Sequence, residues 1–199
     1  GTFGKMACFS FNGNKIITTG GGGMITSDDD ELADHIKFLV NQAKDPAKGY
    51  FHPEIGFNYR MTNLEASVGL AQMERLEEFL GKKRRFAEIY RDAFSGERRI
   101  SLQEETPGSQ SSWWLTSIMI KDGDKSIPQI QEDLKKRGVP TRRVFVPVTE
   151  FPPYRQFGDQ NDFPVAYSIF TAGLNLPSST QNGEKEVLET AKKIKDAEF

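Results

Sequence analysis

The chain reads as a mixed α/β protein, and three observations predict this. Met6–Phe11, with the alternation of Phe9-Ser10-Phe11, and Gly23–Thr26 read as two short strands. The stretches after Ser27 and after Thr62 carry apolar residues at the spacing of a helix face. From Ile100 onward, strand-like and helix-like segments alternate to the C-terminus. A chain of 199 residues, 37% hydrophobic and 27% charged, is long enough for a core in one or two modest domains and unlike a disordered protein. A net charge of -2 gives no electrostatic reason to expect nucleic acid or an anionic membrane as a partner. A single cysteine rules out an intrachain disulfide framework and fits a reducing, cytoplasmic setting. No apolar run approaches membrane-spanning length.

The first strand leads into the stretch that the rest of the chain serves, Phe9 to Gly23. Asn12-Gly13-Asn14 predicts a sharp turn, because Asn and Gly tolerate the backbone angles of tight turns. Lys15 follows, with no acidic residue between Met6 and Ser27. Thr18, Thr19 and four consecutive glycines come next, where bare main-chain amides can approach a ligand closely. A hydroxyl at Ser10, an amine at Lys15 and those amides suit a ligand that carries both a phosphate and an electrophilic carbon. A desolvated lysine beside positive charge falls to about 7–8 in pKa and attacks a carbonyl; an exposed turn lysine is the alternative that spacing alone leaves open. A nucleotide-binding P-loop is disfavoured, since Gly13-Asn14-Lys15-Ile16 lacks the first glycine and the Ser/Thr. Cys8, among apolar neighbours, is expected to be a buried structural thiol.

Ser27 is the expected cap of a helix that starts Asp28-Asp29-Asp30-Glu31 and buries Leu32, Ile36, Leu39 and Val40. His35 and His52 have no further ligand at a recognisable interval, so no metal is expected. Lys44–Gly56, with Pro46, Gly49 and Pro53, reads as a loop. Thr62-Asn63-Leu64-Glu65 has the form of a capping box, and the helix after it is expected to bury Leu64, Val68, Ala71, Leu76 and Phe79. A second helix over Lys82–Phe94 presents Phe86, Ile89, Tyr90 and Phe94 on one face. Its Lys82-Lys83-Arg84-Arg85 run, set among glutamates, reads as a solvated mixed-charge face.

Strands are predicted at Ile100–Gln103, Trp113–Ile120 and Arg143–Val146, and helices at Pro128–Arg137, Val165–Ala172 and Glu184–Lys195. Both faces of Trp113–Ile120 are largely apolar, as in a strand covered by helices on each side. Phe151-Pro152-Pro153-Tyr154 is a rigid aromatic turn.

Two of these stretches carry a resemblance. Cys8-Phe9-Ser10-Phe11-Asn12-Gly13-Asn14-Lys15 through Gly23 resembles the lysine loop of the DegT/DnrJ/EryC1/StrS family, pyridoxal-phosphate-dependent sugar aminotransferases of fold type I. Gly56-Phe57-Asn58-Tyr59-Arg60-Met61-Thr62-Asn63 is similar to a second segment of that family, and Leu174-Asn175-Leu176-Pro177-Ser178 to its late Leu-Pro loop. The resemblance implies that Lys15 holds the cofactor, that Ser10 binds its phosphate, and that Asn58 reaches the phosphate in a second subunit's site. A homodimer with shared active sites is therefore expected, acting on a nucleotide-linked keto-deoxy sugar with an amino-acid donor, glutamate. Three residues are weaker substrate-contact candidates. Arg60 meets an anionic group or pairs with a carboxylate, Trp114 stands on the substrate side or in the core, and Arg143, beside Arg142, meets a diphosphate or lies on the surface.

The family's residues that precede the lysine loop have no counterpart in this sequence. The expectation is thus the C-terminal part of a longer enzyme: residues 1–80 from a large cofactor-binding domain and 81–199 a small α/β domain. Two alternatives stand beside it. One is an inert or phosphate-binding truncated domain. The other is a sugar dehydratase of the same family, which carries histidine where this chain has Lys15.

Overall fold

A computed structural model describes every residue from Gly1 to Phe199. The chain forms two compact units, Gly1–Glu77 and Glu78–Phe199.

The first unit begins with β1 (Met6–Ser10) and β2 (Gly23–Ser27), paired antiparallel with Ser10 opposite Gly23. Cys8 is exposed on β1, contrary to expectation, because nothing in the chain covers that strand's face. Helix α1 (Asp30–Val40) is capped by Asp29, whose carboxylate accepts the Leu32 N–H at 3.0 Å. Ser27, the expected cap, sits two residues too early and its hydroxyl accepts the Asp29 N–H instead. Two left-handed residues, Gln42 (φ 66°) and Ala43 (φ 49°), end the helix, and the Ala43 N–H bonds back to Phe38 O at 2.9 Å. Pro46–Lys48 forms one 3-10 turn inside the expected loop. Helix α2 (Asn63–Met73) starts at the capping box read from the sequence: Thr62 accepts the Glu65 N–H and Glu65 accepts the Thr62 N–H at 2.8 Å. Of the expected core positions only Phe79, beyond the end of α2, is buried; Leu76 is half-buried, and Leu64, Val68 and Ala71 are exposed. Leu64 is 82% exposed and Val68 50%, because the apolar residues are spread around α2 instead of forming one stripe. Leu32, Ile36, Leu39 and Val40 of α1 are half-buried, and Ala43 is the one buried residue of this unit.

The second unit holds the hydrophobic core. Helix α3 (Leu76–Ala93) starts before the predicted run and passes unbroken through Gly81. Phe86, Ile89 and Tyr90 lie on its buried face, with Phe94 just beyond it. The sheet comprises β3 (Ile100–Leu102), β4 (Ser117–Ile120), β5 (Arg142–Arg143) and β6 (Gly173–Asn175), in the order β3-β4-β6-β5 with every pair antiparallel. Helices α4 (Ile127–Lys136), α5 (Pro164–Ala172) and α6 (Glu184–Lys195) fall where the sequence predicts them. Ile118 and Ile120 of β4 and Leu174 of β6 pack on Ile130 and Leu134 of α4 and Val187, Ala191 and Ile194 of α6. Each of these valine, leucine and isoleucine side chains contributes roughly 1.5–3 kcal/mol by leaving water.

Three strand expectations change. Of the predicted Arg143–Val146 only Arg143 is strand, because pairing with β6 ends there. The segment Trp113–Thr116 is not strand: Trp113 takes a left-handed conformation (φ 48°) that a pleated strand cannot hold, and pairing begins at Ser117. The opposite face of β4, Ser117 and Met119, is only half-buried. β6 lies inside the Leu-Pro stretch that the sequence presents as a loop, and it is completely buried at the centre of the sheet.

Candidate active site

The β1–β2 connection is a closed, self-bonded loop. Phe11 N–H donates to Gly22 O at 3.0 Å, one step beyond the strand pairing. Phe11 O then accepts from the Thr19 N–H at 3.0 Å and from the Thr18 hydroxyl at 2.9 Å, so one carbonyl gathers the far side of the loop. The Lys15 N–H bonds to Asn12 O at 3.0 Å and closes the turn that Asn12-Gly13-Asn14 announces. Gly20 and Gly22, both at φ 84°, supply the left-handed backbone that the return to β2 needs. A side chain at Gly23 would lie 2.6 Å from Phe9 O, which explains glycine there.

Ser10 ends β1 with its side chain exposed, its hydroxyl accepting the Asn12 N–H at a long 3.4 Å. Lys15 is half-buried at the turn. The glycine run is less bare than expected: the Thr19 amide bonds to Phe11 O and the Gly20 amide to the Thr18 hydroxyl. The Thr19 hydroxyl bonds to Gly21 O. The loop spends these polar groups on its own shape. Open space lies over Gly20 and Gly21, where an added Cβ would meet nothing within 4 Å. A strand-end hydroxyl, a primary amine and an approachable backbone suit pyridoxal phosphate, whose phosphate and aldehyde want those two groups.

Asn58 is held by the end of α1. Phe57 N–H donates to Leu39 O at 2.7 Å, Tyr59 N–H to Val40 O at 3.1 Å, and Asn58 forms an antiparallel bridge with Asn41. This approach requires Gly56, where a Cβ would lie 2.2 Å from the backbone of Gln42 and Ala43. Asn58 and Arg60 are exposed, beside the stacked rings of Phe57 and Tyr59.

Trp114 and Arg143 belong to the second unit. The half-buried Trp114 stacks on Phe145, with centroids 6.2 Å apart. The Arg143 guanidinium lies 4.1 Å from the centre of the Phe170 ring.

Sequence reasoning missed Lys83. Within the basic run, Lys82 pairs with Glu78 at 3.5 Å and Arg85 with Glu88 and Glu184 at 3.2 and 3.1 Å, the mixed-charge face expected. Lys83 points inward and is 7% exposed. Its ammonium donates to Trp114 O at 2.9 Å, Ser178 O at 2.5 Å and the Ser178 hydroxyl at 3.4 Å. Burial lowers its pKa to about 8. The available signal was helical spacing, which puts Lys83 in line with Phe79, Phe86, Ala87 and Tyr90.

The profile of the DegT/DnrJ/EryC1/StrS aminotransferase family matches residues 1–195. GDP-perosamine synthase of Vibrio cholerae is 36% identical over 197 residues, covering 98% of this chain and 53% of that protein. EpsN of Bacillus subtilis, named a putative pyridoxal phosphate-dependent aminotransferase, is 36% identical over 189 residues, covering 94% of this chain and 48% of its own length. A putative sugar aminotransferase from Streptococcus pneumoniae, solved in its PMP form, superposes with a TM-score of 0.85 at 26% identity, over 98% of this chain and 52% of that one. The chain therefore spans about half the length of the curated relatives it matches. Its architecture is that of fold type I. A loop lysine, a strand-end serine and a matched family profile lead to one conclusion: the chain belongs to the DegT/DnrJ/EryC1/StrS aminotransferase family.

Proposed function

We propose that this chain carries the lysine of a pyridoxal-phosphate-dependent aminotransferase that acts on a nucleotide-linked keto-deoxy sugar with an amino-acid donor, glutamate. The observation that carries the reading is the hairpin loop that holds Ser10 at a strand end and Lys15 at its turn, in a chain of this family. Pyridoxal phosphate, when bound, supplies an electron sink for a carbanion beside the transferred nitrogen. Lys15 Nζ would hold the cofactor at its carbonyl carbon and would move a proton to and from the substrate carbon. Ser10 Oγ donates to a phosphate oxygen. Asn58 serves the site of a second copy, so the active form is a homodimer. Residues 1–80 then belong to the cofactor-binding domain and 81–199 to a small domain, where Trp114 and Arg143 are candidate contacts for the sugar nucleotide; Arg60 is a candidate for an anionic group. Lys15 favours transamination over the dehydratase reading.

The test is covalent. The full chain is incubated with pyridoxal phosphate, reduced with borohydride, and mapped by peptide mass spectrometry. A reduced adduct on the peptide that holds Lys15, lost in Lys15→Ala, is the expected result. An adduct that settles on another lysine, or none at all, overturns the assignment. In a protein that transaminates, Lys15→Ala lowers the rate by at least ~10²-fold, the scale of a general base.

A further inference from the structure

Consecutive tryptophans occupy different surroundings in the second unit. Trp113 is 3% exposed and left-handed, a conformation that a bulky residue keeps only when its surroundings impose it. The Ser111 hydroxyl accepts its N–H at 3.0 Å, and the Arg91 guanidinium lies 5.6 Å from its ring centre. Trp114 is half-buried, stacked on a Phe145 that is 68% exposed. The peptide after the kink is fixed from below by Lys83, whose ammonium holds the Trp114 carbonyl and both oxygens of Ser178. Tyr90, on the same face of α3, donates its hydroxyl to Pro177 O at 2.7 Å. One helix therefore ties the stretch entering β4 to the stretch leaving β6, through two buried side chains.

We propose that Lys83 is the positioning residue of the Trp114–Phe145 pair, holding the Trp114 carbonyl against Ser178 so that the ring stands where it meets Phe145. The inference deepens the reading of Trp114 as a substrate contact and rests on it only for the pair's use, since the placement itself is read without substrate. An ammonium has three protons for these three acceptors, and the neutral amine has two. Of the other cations at this end of α3 and beyond, Lys82 is paired with Glu78, Arg85 with Glu88 and Glu184, Arg91 lies over Trp113, and Arg84 buries its Nε without a hydrogen-bond partner. Tyr90, the titratable neighbour on the same face, keeps its proton because burial raises its pKa. Of the two buried titratable groups on this face of α3, Lys83, brought to about 8 by burial, is then the one that changes charge in mildly alkaline solution.

The test uses the full chain labelled with 5-fluorotryptophan, which gives two fluorine resonances, assigned through Trp114→Phe. In Lys83→Met, the Trp114 resonance moves by at least a linewidth while far-ultraviolet dichroism is retained. In the wild type the same resonance moves between pH ~6.5 and ~9.5 with a midpoint near Lys83's value, a response that Lys83→Met lacks. An unmoved Trp114 resonance in folded Lys83→Met overturns the proposal. Should Lys83→Met fail to fold, the wild-type titration decides: a Trp114 resonance static across that range overturns it. None of these readouts depends on Lys15 or on bound cofactor, so failure here is distinct from failure of the transaminase reading.

Discussion

Lys15 and Lys83 are made useful by opposite means. Lys15 sits on a local turn closed by main-chain hydrogen bonds within its own loop, so the shape of that turn is written within a few residues of chain. Lys83 is defined by segments far away in sequence, Trp114 and Ser178, and by burial that lowers its pKa from 10.5 to about 8. The unfolded chain keeps the Lys83 proton up to the ordinary lysine value, whereas the folded chain releases it from about 8. Between those values the unfolded state binds more protons, and stability rises with pH, by at most about 1.4 kcal/mol per unit. The wild type should therefore gain stability relative to Lys83→Met as pH is raised from ~8 to ~10. Urea midpoints of the two proteins across that range check it, and a difference that does not change with pH would refute the burial argument. The neutral amine still has two protons to donate, so the clamp loosens at one acceptor as the cost of burying charge disappears.

At the scale of elements, local rules worked where a segment settles its own backbone. The capping box at Thr62 and Glu65 and the bounds of α6 followed the sequence because the groups involved are neighbours along the chain. Thr62→Ala should remove about 1 kcal/mol from the unit that holds α2, measurable as faster amide exchange in its first turn. Gly56 presents a sharper case. Its Cα faces the backbone of Gln42 and Ala43 so closely that alanine has no room. Gly56→Ala should push the 56–59 segment off α1, break the Asn41–Asn58 bridge, and cost several kcal/mol, on the order of an overpacked core position. The observable is the Asn58 amide, which should lose its wild-type chemical shift; an unchanged shift would contradict the close approach. β6 escaped notice because Gly-Leu-Asn is too short for alternation to register and its partners, β4 and β5, lie far off in sequence.

For the whole molecule, the two units differ in how they are held together. Glu78–Phe199 encloses a continuous core from α3, α4, α6 and the sheet, whereas Gly1–Glu77 buries Ala43 alone. Amides of β4, β6 and α3 should then exchange at least ~100-fold more slowly than those of β1, β2 and α2, since apolar burial sets the cost of opening. Comparable protection in both units would show that β1 and β2 have a cover that their exposed Phe9, Met24 and Ile25 do not reveal. The sequence by itself determined the lysine hairpin, the capping box of α2, the helices of the second unit and the family, because each depends on periodicity or on residues close in the chain. Tertiary structure alone decided which apolar faces are covered, that the sheet is antiparallel with β6 at its centre, and that one lysine of a basic run is drawn inside. Those outcomes rest on contacts between distant segments, whose closure depends on what else in the fold is free to meet them.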